Sequence, residues 1–146
     1  MPPPFPRPSN KEIHRKVNQA LEALRDPNRS KSCFIAKEKH LPESWDFLGV
    51  VDKVSFWDTI QALLEELRQI DPTKYYVGSR PPQRSYETGP IAQKELWAYA
   101  WESAITGHPT YLKFVIVPKK KQSTYEGASA YNLFFLDCHE NRPPKY

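Results

Sequence analysis

The sequence has no run of apolar residues approaching the ~18–20 that a bilayer-spanning helix needs. Its opening, Met1-Pro-Pro-Pro-Phe-Pro-Arg-Pro8, lacks the apolar segment of a secretion signal. The expectation from both is a cytoplasmic protein without a membrane partner. Cysteine is scarce: Cys33 and Cys138 stand far apart and match no CxxC spacing for zinc or redox work, so both read as ordinary thiols. A nucleophile at Cys138, next to His139, is disfavoured because adjacent strand residues point to opposite faces. The chain also lacks HExxH and clustered-carboxylate patterns, so neither a metal site nor a cofactor is expected.

What is present describes one folded domain. The 146 residues suit a single core, and the large side chains, 39% apolar and 13% aromatic, are too many for a disordered chain. The 15 prolines imply many irregular connections. Charge is unevenly placed: residues 1–73 hold 11 Lys/Arg and 11 Asp/Glu, whereas residues 74–146 hold 10 and 6 and supply the whole net +4. A basic second half favours a polyanionic partner through attraction to phosphates and release of their counterions.

Residues 1–8 read as a proline-rich flexible arm and 9–146 as the domain. Ser9-Asn-Lys-Glu12 has the form of a capping box ahead of Ile13, Val17, Ala20, Leu21 and Leu24 at helical spacing, a helix that ends before Asp26-Pro27. The stretch Ser32–His40 suits a buried strand or a short amphipathic helix, and helix is the preferred expectation. Phe56, Ile60, Leu63, Leu64, Leu67 and Ile70 form one stripe of a core helix opening at Ser55 and closed by Asp71-Pro72. Thr73 to Pro90 reads as a long irregular loop carrying Arg80 and Arg84.

Alternation from Leu96 predicts a strand with Trp97, Tyr99 and Trp101 on one face and Leu96, Ala98 and Ala100 on the other. The three rings are candidates for stacking on bases or for core packing, at least two of them core. Tyr111–Val117 and Tyr131–Cys138 follow as further strands, joined by a turn at Thr106–Pro109 and by a polar loop that begins Lys119-Lys120-Lys121. These connections are too short for a crossover helix, so the three strands form an antiparallel meander in an α+β fold. Helices then cover one sheet face, and the other is free to meet a ligand.

Several residues recur in the order and spacing of a known family. They are Lys16-Val17-Asn18 in the first helix, Val54-Ser-Phe-Trp-Asp-Thr-Ile60 opening the core helix, the Leu96-Trp97 strand, and Thr106-Gly107 shortly before Tyr111-Leu-Lys113. In these, residues 10–139 resemble the MqsR toxins of the RelE-like group of small ribonucleases. The resemblance implies a RelE/MqsR-like fold, metal-independent cleavage of messenger RNA, and a cognate antitoxin protein as partner. It also implies a working role for Tyr111. Three positions depart from the family pattern: Asp58 stands where it has a lysine, Ala98 where it has a glutamine, and Asp137 where it has a basic residue, with His139 two residues further on.

Cutting RNA without a metal needs a base for the ribose 2′-OH, an acid for the leaving 5′-oxygen, and cations for the charge that grows on phosphorus. Tyr111, Lys113 and His139 are the catalytic candidates. Arg80, Arg84, Lys119, Lys120 and Lys121 are the candidates for holding RNA phosphates. His108 is a second proton carrier or a plain turn histidine, and His14 and His40 read as solvated. Each candidate has an ordinary alternative: a strand tyrosine packs half-buried, a strand lysine guards an edge, and a lysine run at a hairpin tip aids solubility. The rival function is a non-catalytic RNA-binding or protein-interaction module, favoured by Asp58, Ala98 and Asp137.

Overall fold

Ser9 accepts a hydrogen bond from the Glu12 N–H at 3.1 Å and opens α1 (Asn10–Leu24), whose buried side carries the expected Ile13, Val17, Ala20, Leu21 and Leu24. The computed structural model describes residues 8–78, 82–121 and 124–141. The proposed arm lies outside them except for Pro8, which is buried.

The chain departs from expectation after α1. Residues 33–35 form a strand, β1 (Cys33–Ile35), and a single 3-10 turn spans Glu38–His40, where a helix was the preferred reading. Three residues are too few for a stable helix, and β1 is held by a distant ladder: Leu133 N–H donates to Ser32 O at 2.7 Å and Ala36 N–H to Phe135 O at 2.8 Å. A further helix, α2 (Leu41–Leu48), follows. Pro42 sits in its first turn, where a missing N–H is harmless, and Gly49 at φ 69° closes it in a left-handed conformation that other residues adopt at a cost.

The core helix α3 (Lys53–Gln69) begins two residues earlier than its stripe suggests, because Asp52 accepts from the Ser55 N–H at 2.7 Å and caps it. Trp57 joins the buried stripe, while Ile70 lies past the last turn and is exposed. The expected irregular loop contains one short helical turn, α4 (Pro72–Tyr75).

The three strands of the meander are β2 (Trp97–Glu102), β3 (Pro109–Pro118) and β4 (Tyr131–Glu140). With β1 parallel to β4 they make one sheet in the order β1-β4-β3-β2, so the fold is α+β as the sequence implies. No helix among the described residues is long and apolar enough to cross a membrane.

The inner face of the sheet meets α1 and α3. Trp97, Tyr99 and Trp101 are all buried there beside Leu112, Phe114, Phe135 and Cys138, which removes all three rings as stacking platforms for bases. Two polar handles anchor the layer: the Tyr99 hydroxyl donates to Ile13 O at 2.9 Å, and Trp101 Nε1 donates to Glu66 Oε1 at 2.6 Å. On the outer face, Val115, Phe134 and Leu136 are sealed by Ile91 from the loop that precedes β2.

A second anchor is polar. The Asp26 carboxylate, 3% exposed, accepts from Asn28 N–H, Ser32 Oγ, Tyr125 Oη and Ser129 N–H, with Lys119 Nζ at 3.6 Å. It thereby ties the end of α1 to the β3–β4 connection. Burial alone opposes its charge, but the bonds from Ser129, Ser32, Tyr125 and Asn28 outweigh it and hold the carboxyl well below the usual range. A carboxyl depressed in the folded state stabilises above its unfolded value of ~3.9 and loses that contribution as pH falls below it. Asp26→Asn is therefore expected to cost about 3 kcal/mol in urea unfolding at neutral pH. Its stability is also expected to decline less than the wild type's as pH drops through the carboxylate range; equal stability and equal acid sensitivity would remove Asp26 as an anchor.

Candidate active site

The outer face at the β3–β4 pair owes its composition to an irregularity in β4. Phe114 pairs with Phe135, but Lys113 pairs with Asp137, so Leu136 is an extra residue on β4. The bulge reverses the alternation from there on. Asp137 and His139 face outward opposite Lys113 and Tyr111, and Cys138 faces the core. Ser44 Oγ on α2 accepts from the Cys138 N–H at 3.2 Å, beyond the short reach of β1.

The result brings the three catalytic candidates together. The Tyr111 and His139 rings are stacked, centroids 4.8 Å apart and 17° from parallel. Lys113, two residues from Tyr111 on the same face, places Nζ 3.9 Å from Asp137 Oδ2. His40 Nδ1 lies 3.7 Å from Asp137 Oδ1. Across β2, the partners of Tyr111 and Lys113 are Ala100 and Ala98, whose small side chains leave the surface recessed. A cleft of about 130 Å³ opens there between Tyr111, Lys113, Ala98, Leu96, Gly78 and Gln83.

Protons have defined places. His139 Nδ1 is 2.9 Å from Glu140 O, and because a carbonyl only accepts, Nδ1 carries hydrogen and donates. In the neutral ring, Nε2 is then the basic nitrogen. Burial, and secondarily the charge of Asp137, raise the Tyr111 phenol above its ordinary value, so it stays a proton donor. The phenol, imidazole and ammonium suit general acid–base chemistry, but Lys113 is shared with Asp137. On its far side His139 opens onto a cleft of about 540 Å³ lined also by Glu43, Asp46, Phe47 and Glu140, an acidic surround.

The phosphate-binding candidates are scattered. Arg80 lies outside the described residues. Arg84 is exposed and donates to Gln93 O at 3.0 Å. Lys119 is turned inward, 2.8 Å from Ser32 Oγ and paired with Asp26, and so is not presented to a polyanion, a correction to its expected role. Lys120 and Lys121 are exposed. His108 packs against Phe47, ring centroids 6.3 Å apart, and His14 pairs with Asp71 at 3.3 Å.

Of the departures, Ala98 and Asp137 belong to the site. Asp58 does not: it lies on α3, on the helical side of the sheet, 2.6 Å from Arg29. His40 was missed by sequence reasoning, since only the turn after β1 carries it to Asp137. Both thiols face the core, and burial pushes Cys33 up to about 12 and Cys138 higher still. Among the described residues, no group of three or more His, Cys, Asp or Glu is placed to hold a metal ion.

The Tyr111 environment is directly measurable. In a difference titration of phenolate absorbance between wild type and Tyr111→Phe, the missing group is expected to ionise above pH ~10, and Asp137→Asn is expected to bring it down. A midpoint at or below the ordinary tyrosine value contradicts the geometry. No protein-family model matches this chain, and neither a curated protein nor a solved structure is similar to it at a significant level.

Proposed function

We propose that this chain is a cytoplasmic, metal-independent endoribonuclease that cuts messenger RNA, the toxin of a toxin–antitoxin pair in the manner of the RelE-like MqsR group. The observation that carries the reading is the stacked Tyr111–His139 pair beside Lys113 on a recessed outer face. His139 Nε2 takes the proton of the ribose 2′-OH, whose oxygen attacks phosphorus. Tyr111 gives its phenolic proton to the leaving 5′-oxygen, and Lys113 offsets the charge on the non-bridging oxygens. The products are a 2′,3′-cyclic phosphate and a 5′-hydroxyl, and RNA supplies its own nucleophile. A cognate antitoxin is the protein partner, and covering this face is the simplest way for it to act.

A second reading has its own observation. The acidic surround of His139, from Glu43, Asp46 and Glu140, and the pairing of Lys113 with Asp137 disfavour a phosphate there and suit a non-catalytic module that binds a protein partner.

Expression of the chain alone separates the two. The nuclease is expected to halt growth and to release RNA ends bearing cyclic phosphate. His139→Ala and Tyr111→Phe are each expected to slow cleavage by about 10²-fold or more. Cleavage unaffected by either substitution, or intact RNA after prolonged incubation with pure protein, sinks the catalytic assignment in favour of the interaction module.

A further inference from the structure

The outer face has a second concavity at the other end of β3. Lys94, Lys120, Asn132, Pro90, Val117 and Phe134 line a pocket of about 590 Å³, within the ~300–1,000 Å³ common for small-ligand sites. Val117 and Phe134 are outer-face residues, and the 3-10 turn Gly89–Ile91 forms the wall. Ile91 fixes that wall by inserting among Val115, Phe134 and Leu136. Neither Lys94 nor Lys120 has an ion-pair partner among the described residues, in contrast to Lys119, Lys37 and Lys113, which do.

We infer that this pocket holds one nucleotide unit of a single-stranded RNA. Its phosphates lie against Lys94 and Lys120, its base against the apolar floor of Pro90, Val117 and Phe134, and Asn132, whose buried Oδ1 has no hydrogen-bond partner among the described residues, lines the same pocket. Two unpaired cations over an apolar floor match the two halves of a nucleotide, which is anionic at one end and flat and weakly polar at the other. Six residues separate Val117 from Tyr111, about 20 Å along the strand. A strand leaving this pocket toward Tyr111 passes over the loop that carries Ile91, which covers Val115, Phe134 and Leu136 between the two. The inference concerns binding and stands without cleavage.

Anisotropy of a short labelled 2′-O-methyl RNA, which lacks the attacking hydroxyl, tests it with the whole chain. Lys94→Ala with Lys120→Ala is expected to weaken binding about tenfold or more at low salt and to reduce the slope of log K against log[salt] by ~0.7 per lost phosphate contact. Val117→Asp is expected to weaken it as well. Lys11→Ala, an exposed position on α1 across the sheet from the pocket, is expected to bind within about twofold of wild type. Adenosine monophosphate separates the sources: displacement of the oligonucleotide by low concentrations assigns the pocket to free nucleotide instead of RNA and overturns the inference as stated. Oligonucleotide binding unchanged in the double-lysine variant, or no binding by wild type, also overturns it. Lysine-dependent binding by a protein that never cuts unmodified RNA sinks the nuclease reading alone.

Discussion

One extra residue in β4 governs which side chains this protein shows on its open face. Had β4 continued in the register of Val115 with Phe134 and Phe114 with Phe135, Asp137 would stand opposite Leu112 on the inner face. A carboxylate and an imidazole would then enter a layer built from Trp97, Tyr99 and Phe114. Burying them there without partners costs several kcal/mol. The bulge at Leu136 takes up one residue, keeps that leucine in the outer apolar cluster, and turns Asp137 and His139 outward while sending Cys138 to the core. Structure and candidate chemistry thus rest on the same local irregularity.

The frame that holds this face is tied at both ends of the sheet by polar groups, one buried and one partly buried. At one end the Asp26 carboxylate gathers the β3–β4 connection onto the end of α1 and draws Lys119 out of the solvent. At the other, Glu66 takes the Trp101 indole and the Ala104 N–H, and so fastens α3 to the β2–β3 turn. Between them the contacts are aromatic: Phe56 meets Phe135 edge-on at 4.9 Å, and Tyr99 stacks on Phe114 at 5.8 Å. Rings committed in this way to the interior are lost to recognition, which leaves the outer face dependent on Tyr111, His139 and cations.

Those cations divide the outer face electrostatically. Near His139 the neighbours are Glu43, Asp46 and Glu140, and Lys113 is drawn to Asp137. Toward the far end of β3, Lys94 and Lys120 stand without ion-pair partners among the described residues. Among the described residues, the outer face therefore has a cationic end and an acidic end. A polyanion is favoured along one part of the face and repelled at the other, and a basic or neutral protein segment has the opposite preference.

The sequence by itself determined what depends on near neighbours in the chain. The stripes of α1 and α3, the cap at Ser9, the three meander strands, and the shared face of Tyr111 and Lys113 all follow from spacings of two to four residues. Tertiary structure alone decided what depends on distant partners. β1 is a strand because β4, about a hundred residues later, completes its ladder. Lys119 is internal because Asp26 waits for it, and His40 meets Asp137 because the 3-10 turn between β1 and α2 carries it there. Whether His139 joins Tyr111 turned on a bulge whose sole sequence trace is an unbroken apolar run, Leu133-Phe-Phe-Leu136, in which alternation cannot be read. Periodicity reports which residues are apolar, but a register is set by the free energy of pairing two strands, and that is not a local property.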